Sequence, residues 1–494
     1  MTTHLSRRSF SRITLGAAAL AGLPGCSTTG KGRTRALPAG EPVRLGVVGI
    51  RSRGMQLANS FQNVEGCEIV AMCDCDGGVL EQQCTRFAEK YGHRPAAERD
   101  VRAFVERDDL HAIVIATPNH WHALMAMWAA EAGKDVYVEK PVCHDLREGQ
   151  AMVEVGQRTG RIIATGTQAR SSRAIAEAIA FVRDGSIGDI VLARGTCWKP
   201  RKSIGRVAGP QQVPDQIDFD LWTGPSPMKP LGRQHLHYDW HWDTDTGNGD
   251  LGNQGIHQVD LCRWMLGEDT LARGAMSIGG RLGYLDDGNT PNSQVIVLDY
   301  ETAPLIFEVR GLPRDKAQQT AKWGMDNHRG SGITACLECE GGELVAYHGG
   351  GSAKIFDSEG KQVREFKGAN NHYANFVKAV RACDASLLAA DVERGRVSST
   401  LCHQGMASHL LGRPGTADEA LAAIEAAAGT HGREAVERMC SHLRANEVDI
   451  DRPTLTIGAA LVLDPVTERH VGRPDADDLL ERPARGPYTH ELLS

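Results

Sequence analysis

The fold is decided by a stretch near the start of the chain, Val43-Arg44-Leu45-Gly46-Val47-Val48-Gly49-Ile50-Arg51-Ser52-Arg53-Gly54. Val43 to Val48 is a short apolar run, which predicts a buried strand. Gly49 ends this run, and the amphipathic stretch from Met55 to Phe61 predicts a helix directly after it. A strand that turns into a helix at glycines is the first unit of a parallel sheet covered by helices.

The same alternation continues over the next hundred residues. Apolar runs recur at 68–72, 111–116, 134–138 and 161–164, and another amphipathic stretch spans 123–132. Strands that alternate with helices imply a parallel sheet with both faces covered. Because such crossovers are right-handed, we predict a Rossmann-type, doubly wound domain over residues 41–166.

After residue 166 the pattern changes. A helix is predicted at 174–184 and a strand at 189–196, and a long loop rich in Pro, Gly, Trp and His follows from Trp198 to Asn253. The remaining predicted elements are strands at 273–280, 293–299, 304–310, 333–339 and 343–347, and helices at 254–266, 372–383 and 390–411. Strands without intervening helices predict an α/β domain over 167–415 with a large open, mostly antiparallel sheet. Residues 416–494 are predicted as a helix pair (416–445) and an irregular strap over the second domain.

Composition narrows the class of protein. The 494 residues include 55 basic and 62 acidic side chains, a formal net charge of −7, with 41% hydrophobic residues. These values are ordinary for a globular protein and argue against a disordered or bilayer-embedded chain. The mildly acidic balance, without a basic block, argues against a nucleic-acid partner.

Cysteines and histidines give no clear metal site. The 13 cysteines are too few and too irregularly spaced for a disulfide scaffold. Cys336 and Cys339 form a lone CxxC inside a strand pattern, where their thiols would face opposite sides of the sheet. Three loop histidines (His235, His237 and His241) do not by themselves make the ligand set that a metal requires. We therefore predict no metal site.

The first forty residues have the pattern of an export signal and tether. Arg7, Arg8 and Phe10 precede an apolar run from Ile13 to Leu23, which is typical of a twin-arginine signal. This run is shorter than the ~20 residues that a membrane-spanning helix needs. Leu23-Pro24-Gly25-Cys26 resembles a lipobox, with Cys26 as the lipid-anchored residue, and cleavage without a lipid is the alternative. We predict export to the periplasm, as a free protein or an anchored lipoprotein.

The turn after the first strand has the position of a dinucleotide-binding turn. Its residues are Gly49, Ile50, Arg51, Ser52, Arg53 and Gly54. Backbone N–H groups at such a helix start hold a pyrophosphate, although Arg51 replaces the middle glycine of G-x-G-x-x-G, and a turn without a ligand is the alternative. Asp74 follows Gly54 by 20 residues, where a carboxylate binds the ribose diol and repels a 2′-phosphate. This favours NAD, and NADP stays possible if Arg51 or Arg53 pairs with that phosphate.

Two further strand ends carry distinctive motifs, Ala116-Thr117-Pro118-Asn119-His120-Trp121-His122 and Glu139-Lys140-Pro141. Both lie at carboxyl ends of strands, where doubly wound sheets bind ligands. With these motifs the chain resembles, from about residue 43 to 412, the Gfo/Idh/MocA oxidoreductases. That family combines an N-terminal nucleotide domain with a C-terminal α/β domain that has an open sheet.

The resemblance implies roles for individual residues. Lys140 matches the family's active-site lysine, where an ammonium stabilises alkoxide character and can pass a proton. The other implied cofactor contacts are Thr117, Pro118, Asn119 and His122 on the nicotinamide side and Glu139 at the ribose. In many members an Asp stands four residues before a catalytic His, and here Asn253 and His257 occupy these positions. Since an amide cannot take up a proton at neutral pH, His257 and Lys140 are predicted to perform the acid–base chemistry. A histidine that only packs in the core is the alternative for His257.

Aromatic residues near the second motif suit a carbohydrate. The candidate sugar contacts are Trp198, Tyr238, Trp240 and His241, and packing of the loop itself is the alternative. The favoured function is an exported NAD(P)-dependent oxidoreductase with a tightly retained cofactor, acting on a sugar, polyol or glycoside. One alternative is an NAD-dependent glycoside hydrolase that oxidises a hydroxyl transiently, and another is a sugar-binding protein without turnover. The resemblance also implies a homo-oligomer formed through the exposed face of the open sheet.

Overall fold

The structure is a computed structural model that describes residues 37–368 and 371–493. The predicted export signal and Cys26 lie outside the described residues. Over the part of the chain that is described, no helix combines the length and the apolar character that a membrane crossing requires.

Strands and helices alternate from Val43 to Thr165. The elements are β1 (Val43–Val48), α1 (Arg53–Gln62), β2 (Cys67–Cys73), α2 (Gly77–Tyr91), β3 (Ala96–Glu98), α3 (Val101–Val105), β4 (Ala112–Ile115), α4 (His122–Glu131), β5 (Asp135–Val138), α5 (Leu146–Thr159) and β6 (Ile163–Thr165). The six strands form a parallel sheet in the order β3-β2-β1-β4-β5-β6. The predicted doubly wound fold is confirmed, with the addition of the short, half-exposed edge strand β3.

The apolar runs form strands because both faces of this sheet are covered. On β4, Ala112 and Val114 pack into the core on one side of the sheet, while Ile113 and Ile115 pack into the core on the other. A strand buried on both faces needs a continuous apolar sequence, which is the pattern the sequence shows.

The second sheet is large and mixed. Its strands are β7 (Ile190–Trp198), β8 (Gly274–Gly280), β9 (Ser293–Asp299), β10 (Leu305–Arg310), β11 (Ile333–Cys339), β12 (Gly342–Tyr347), β13 (Ser352–Asp357), β14 (Gln362–Lys367), β15 (Arg413–Gly415), β16 (Leu455–Ile457), β17 (Leu461–Asp464) and β18 (Arg469–His470). The main order is β14-β13-β12-β11-β7-β10-β9-β8-β16-β15. Only β7 and β10 pair in parallel among the described strands of this sheet, so the predicted open, mostly antiparallel sheet is confirmed.

Eight helices accompany this sheet in the described part of the chain. They are α6 (Arg173–Arg183), α7 (Phe219–Thr223), α8 (Leu236–Asp239), α9 (Ile256–Leu266), α10 (His372–Ala382), α11 (Val392–Leu410), α12 (Ala417–Ala445) and α13 (Pro474–Asp478). Helices α6, α9 and α11 pack on the inner face of the sheet, and α10 returns to the core of the first domain through Phe376 and Val380. On β11, Cys336 and Cys339 face opposite sides of the sheet, as predicted.

Helix α12 covers the outer face of β8, β9 and β10. Gly429 (φ 60°, ψ −154°) interrupts it, so it is a helix pair, as the sequence predicts. Met439 and Ile424 pack there against Ile278 and Val297 of the sheet. Helix α12 therefore covers the part of the outer face formed by β8–β10, and the expected binding of a second copy through the open sheet stays a prediction.

The tail differs from its prediction as an irregular strap over the second domain. Strands β16 and β17 extend the second sheet by pairing with β8. The last residues then cross to the first domain, where the ring of Tyr488 packs edge-on against Trp121 with centroids 5.4 Å apart. Tyr488 also donates a hydrogen bond to Asp220 at 2.6 Å, so the tail connects both domains with the long loop.

Candidate active site

A cavity of about 400 Å³ lies where the carboxyl ends of the parallel strands face the long loop of the second domain. Most of the predicted site residues line it together. They are Gly49, Arg51, Ser52, Arg53, Asp74, Thr117, Pro118, Asn119, His122, Glu139, Lys140, Tyr238, Trp240, His241 and Asn253.

The turn after β1 has the form that a pyrophosphate needs. Gly49 has φ +78°, and a Cβ on Gly54 would lie 2.0 Å from the Gly49 oxygen, so both positions require glycine. Arg51 does not have a positive φ, and its exposed side chain is compatible with the turn. No side chain caps the N-terminus of α1 at Ser52, which leaves its first N–H groups open to an anion. The turn therefore fits a dinucleotide.

Asp74 stands at the end of β2 and lines the cavity. Its carboxylate accepts hydrogen bonds from the N–H groups of Ile50 and Asp76, both at 3.0 Å. Burial raises the pKa of this carboxyl group. Ile50, predicted as a cofactor contact, is corrected: its side chain is buried in the core and its N–H is used by Asp74.

Arg53 is bound to Glu139. Its guanidinium lies 2.7 Å from the carboxylate of Glu139, which also accepts from Gln168 at 3.2 Å. Gly166 leaves room for this carboxylate, because a Cβ there would lie 2.9 Å from its carbon. Arg53 is therefore held by Glu139, and of the two arginines that could pair with a phosphate, Arg51 is the exposed one.

Lys140 follows β5 and reaches across to the second domain. Its Nζ donates to the backbone oxygen of Asn253 at 2.5 Å and to the side-chain oxygen of Asn253 at 3.2 Å. Burial lowers the pKa of Lys140 to about 8, with opposing attraction from Glu139 and further lowering by nearby cations, Arg53 first. The site therefore holds an amine that loses its proton only slightly above neutral pH.

The motif that contains His122 holds the two strand-end loops together. The ring nitrogens of His122 face the backbone oxygens of Pro141 at 2.6 Å and Thr117 at 2.9 Å. The side-chain amide of Asn119 donates to Asn248 at 2.9 Å. These polar groups fix the walls of the cavity next to Lys140.

His257 lies beside this cavity and does not line it. Its ring is half-buried, and burial followed by the charge of Lys140 lowers its pKa well below the ordinary value. The ring of His348 packs edge-on against it, with centroids 5.8 Å apart. Asn253 lies in a π-helical turn (Leu251–Gly255), so α9 starts two residues later than predicted.

The three histidines of the long loop contact different residues. His235 lies near Asp239 at 3.4 Å, and His237 contacts Asp76 at 2.9 Å. His241 stacks on Trp240 with centroids 3.7 Å apart, and burial lowers its pKa to about 4. The three rings do not form one ligand set.

Another group with metal-ligating atoms consists of His328, Cys336 and Glu343, whose ligand atoms lie within 4.8 Å of one another. Glu343 is bound by His328 at 2.9 Å and by Arg329. Because the arginine already balances the carboxylate, we assign no metal to this group.

Trp198, predicted as a sugar contact, is corrected. Its ring lies under the guanidinium of Arg310 at 4.3 Å and is buried. Alternate residues of a strand point to opposite faces, and Cys197, not Trp198, points to the face that α9 covers.

Several residues of the site were not predicted. Arg99, Leu221, Trp222 and His237 line the cavity, and His348 reaches His257 from the turn after β12. The composition of the loop around His237 indicated a binding surface, but no pattern in the sequence linked His237 to Asp76 or His348 to His257.

The chain is similar in sequence to curated proteins. The chain matches curated relatives over about a third of their length: 28% identity over 158 residues (31% of this chain, 34% of the relative) with "Glycosyl hydrolase family 109 protein 1" of Shewanella sp. strain ANA-3. The values are the same for "Alpha-N-acetylgalactosaminidase" of Shewanella oneidensis.

Solved structures share the fold. A levoglucosan dehydrogenase in complex with NADH and levoglucosan has 16% identity, coverage of 74% of this chain and 96% of that chain, and a TM-score of 0.55. The WlbA dehydrogenase from Bordetella pertussis, in complex with NADH and UDP-GlcNAcA, has 17% identity, the same coverage and a TM-score of 0.54.

Two family models match consecutive parts of the chain. The model of the NAD-binding Rossmann fold covers residues 43–167, and the model of the C-terminal alpha/beta domain covers residues 188–428. Together with the fold and the strand-end motifs, these matches show that the chain belongs to the Gfo/Idh/MocA oxidoreductase family.

Proposed function

We propose that this protein is an NAD-dependent oxidoreductase that acts on a hydroxyl group of a sugar, polyol or glycoside and retains its cofactor through many turnovers. The observation that carries the proposal is the position of Lys140. Its buried amine shares one cavity with the phosphate turn and Asp74, and it is held by Asn253 of the second domain. Sugar-bound relatives of the same fold support a carbohydrate ligand.

Lys140 supplies the acid–base chemistry of this proposal. A dinucleotide held by the turn after β1 and by Asp74 would supply the hydride acceptor for oxidation of the carbon that carries the hydroxyl group. The O–H proton passes to the neutral amine of Lys140, which a pKa of about 8 makes available near neutral pH. The ammonium form stabilises the alkoxide in the reverse direction. His257, beside it, orients the hydroxyl or shares the proton.

The cofactor is proposed to be NAD. Asp74 lines the cavity, and each of its oxygens accepts one backbone N–H, which leaves lone pairs for a ribose diol. The same negative charge repels a 2′-phosphate. Tyr238, with 49% of its surface exposed, and Trp240 are the proposed sugar platform.

A second candidate is a glycoside hydrolase that uses the same first step. The relatives named as glycosyl hydrolase family 109 proteins favour it. Oxidation of a ring hydroxyl acidifies the neighbouring C–H, so that the glycosidic bond is eliminated, water adds and the carbonyl is reduced again. This route leaves the cofactor unchanged overall.

One experiment separates these functions. Purified protein is denatured, and released NAD or NADP is quantified by absorbance and mass. The native protein is then incubated in D₂O with a panel of sugars, polyols and aryl glycosides. An oxidoreductase gives bound NADH and a ketone, whereas a hydrolase gives free aglycone and deuterium at the neighbouring carbon without net NADH. A binding protein without turnover gives neither signal, and a protein that binds no dinucleotide contradicts the proposal.

We also propose that the protein is exported by the twin-arginine route to the periplasm, as a free protein or as a lipoprotein anchored at Cys26. The paired arginines and the short apolar run support this proposal. Export of a folded protein allows the cofactor to be loaded before the protein reaches a compartment without a nicotinamide pool.

A further inference from the structure

The long loop of the second domain is hydrogen-bonded to the end of β2 and the start of α2. The N–H of Gly77 donates to the oxygen of Gln216 at 2.9 Å, and the N–H of Asp218 donates to the oxygen of Cys75 at 3.1 Å. Ile217 pairs with Asp76 as an antiparallel bridge. Two domains are thus connected by backbone pairing next to Asp74.

Two side chains reinforce this connection. Arg99 donates to the oxygens of both Gln216 and Cys75, at 2.9 and 3.2 Å. His237, from α8 further along the same loop, contacts the carboxylate of Asp76 at 2.9 Å. Arg99 and His237 both line the cavity, so this connection is one of its walls. We call the contacts of Gln216–Asp218, Arg99 and His237 with residues 75–77 the ribose wall.

In the ribose wall, the backbone N–H groups that could bind a 2′-phosphate already have hydrogen-bond partners. The first N–H groups of α2 are an anion site by default, since they have no partner within the helix. Here the N–H of Gly77 is bound to Gln216, and those of Gly78 and Val79 are bound to Oδ1 of Asp76. A phosphate at this position would meet the carboxylate of Asp76, because these N–H groups are already bound and the guanidinium of Arg99 is held by the oxygens of Gln216 and Cys75.

We infer that the ribose wall, with His237 as its closing residue, is the part of the second domain that retains NAD at its adenosine end and excludes NADP. This inference rests on the proposed function, because it concerns the same dinucleotide site. It assigns part of the NAD selectivity to residues outside the first domain, in addition to Asp74. For NAD to leave past this wall, the His237–Asp76 contact and the bridge to Ile217 must open.

The test compares three variants of the full-length protein. His237→Ala removes the contact with Asp76, and His237→Gln keeps a donor at that position. His235→Ala is the matched control, since its side chain is 69% exposed and lies two residues away in the same loop. Dissociation of NADH is followed after mixing with excess NAD, through the loss of energy transfer from tryptophan. The Kd values for NADH and NADPH are measured by the same signal.

We expect His237→Ala to release NADH at least tenfold faster and to reduce the preference for NADH over NADPH at least tenfold. His237→Gln and His235→Ala should stay within threefold of the wild type. Hydrogen exchange of the Gly77 amide gives a readout independent of ligand, and it should become faster in His237→Ala alone.

Two results would overturn the inference. The first is NADH release and NADPH discrimination by His237→Ala within twofold of the wild type. The second is a uniform loss of affinity for both dinucleotides with faster exchange across the whole first domain, which would mean general unfolding. Failure of the proposed function is a different outcome, since the wild-type protein would then bind neither dinucleotide.

Discussion

The Nζ of Lys140 lies 2.5 Å from the backbone oxygen of Asn253, so a strand-end lysine of the first domain is held by the second. The side-chain oxygen of Asn253 is a second acceptor at 3.2 Å. Neither oxygen carries a charge, and burial therefore dominates and lowers the pKa of Lys140 to about 8. Burial therefore makes the amine a base that works near neutral pH, and the contact with Asn253 positions it.

Replacing Lys140 by Ala should reduce kcat by about 10²–10⁴, the usual contribution of a positioned acid–base group. The NAD content of the purified protein should stay near that of the wild type, because the phosphate turn and Asp74 do not depend on Lys140. Steady-state kinetics on a substrate from the panel and quantification of released NAD measure the two effects. Lys202→Ala is the control, since its exposed amine donates to the oxygen of Ala321 and Lys202 is not among the residues that line the cavity. Turnover that survives in Lys140→Ala would rule out a catalytic lysine.

The rate of hydroxyl oxidation should depend on pH through Lys140. The amine accepts a proton only in its neutral form, which becomes the major form above pH about 8. We therefore expect kcat for oxidation to rise as pH increases through about 8 and then to level off. Carbonyl reduction uses the ammonium form, so its rate should fall over the same range. A profile without a transition between pH 7 and 9 in either direction contradicts this role.

The first domain could be predicted from sequence because its strands are buried on both faces and its motifs directly follow strands. Edge strands with few apolar residues could not be predicted in this way. The side chains of β14 are mostly exposed, and charged residues such as Arg364 and Glu365 interrupt any apolar pattern. Segment β14 is a strand because it pairs with β13, and the residues of β14 alone do not indicate this pairing.

The same limit applies to the candidate site, where contacts between residues far apart in the sequence could not be predicted. Lys140, Asn119 and Asp74 meet because carboxyl ends of parallel strands share one edge of the sheet, which the sequence order already implies. His237 reaches Asp76 across 161 residues, a contact that only the folded loop creates. Trp198 was predicted as a sugar contact, but the sequence does not say which side of β7 the helix α9 covers, and Trp198 points to the other side.

Export should depend on the arginine pair. Replacing both Arg7 and Arg8 by Lys keeps the charge but removes the pair that the twin-arginine route reads, so the protein should accumulate in the cytoplasm as an uncleaved form. Cell fractionation and the mass of the N-terminus measure this. Arg12→Lys is the control, because it changes a nearby arginine outside the pair. Normal periplasmic delivery of the double variant would exclude the twin-arginine route.

Helix α12 should stabilise the second sheet through its apolar face. Met439 is 1% exposed and belongs to the core between α12 and strands β8–β10. Its replacement by Ala should lower the free energy of unfolding by about 2–5 kcal/mol, the range for large-to-small changes in a core. Glu434→Ala, at an exposed position of the same helix, should change it by less than about 0.5 kcal/mol. Chemical denaturation measures both. Near the midpoint of unfolding, light scattering should also show self-association of the Met439 variant. If the two variants have equal free energies of unfolding, the packing of α12 on the outer face of β8–β10 does not stabilise the sheet.

Asn253→Asp should change the pH dependence without changing the shape of the site. The new carboxylate would stand 3.2 Å from Nζ of Lys140, where an opposite charge favours the ammonium form and raises the pKa of Lys140 by about 1–3 units. The midpoint of the oxidation profile should therefore move to higher pH, and kcat at pH 7 should fall because less neutral amine is present. Asn253→Ser keeps an uncharged oxygen and should leave the midpoint near its original value. The pH profile of kcat is measured for both variants, together with the rate at which an amine-reactive reagent modifies Lys140. Comparison of the two measurements separates the electrostatic effect on Lys140 from an effect of lost packing. An unchanged midpoint in Asn253→Asp would mean that Lys140 is not the group that titrates in the reaction.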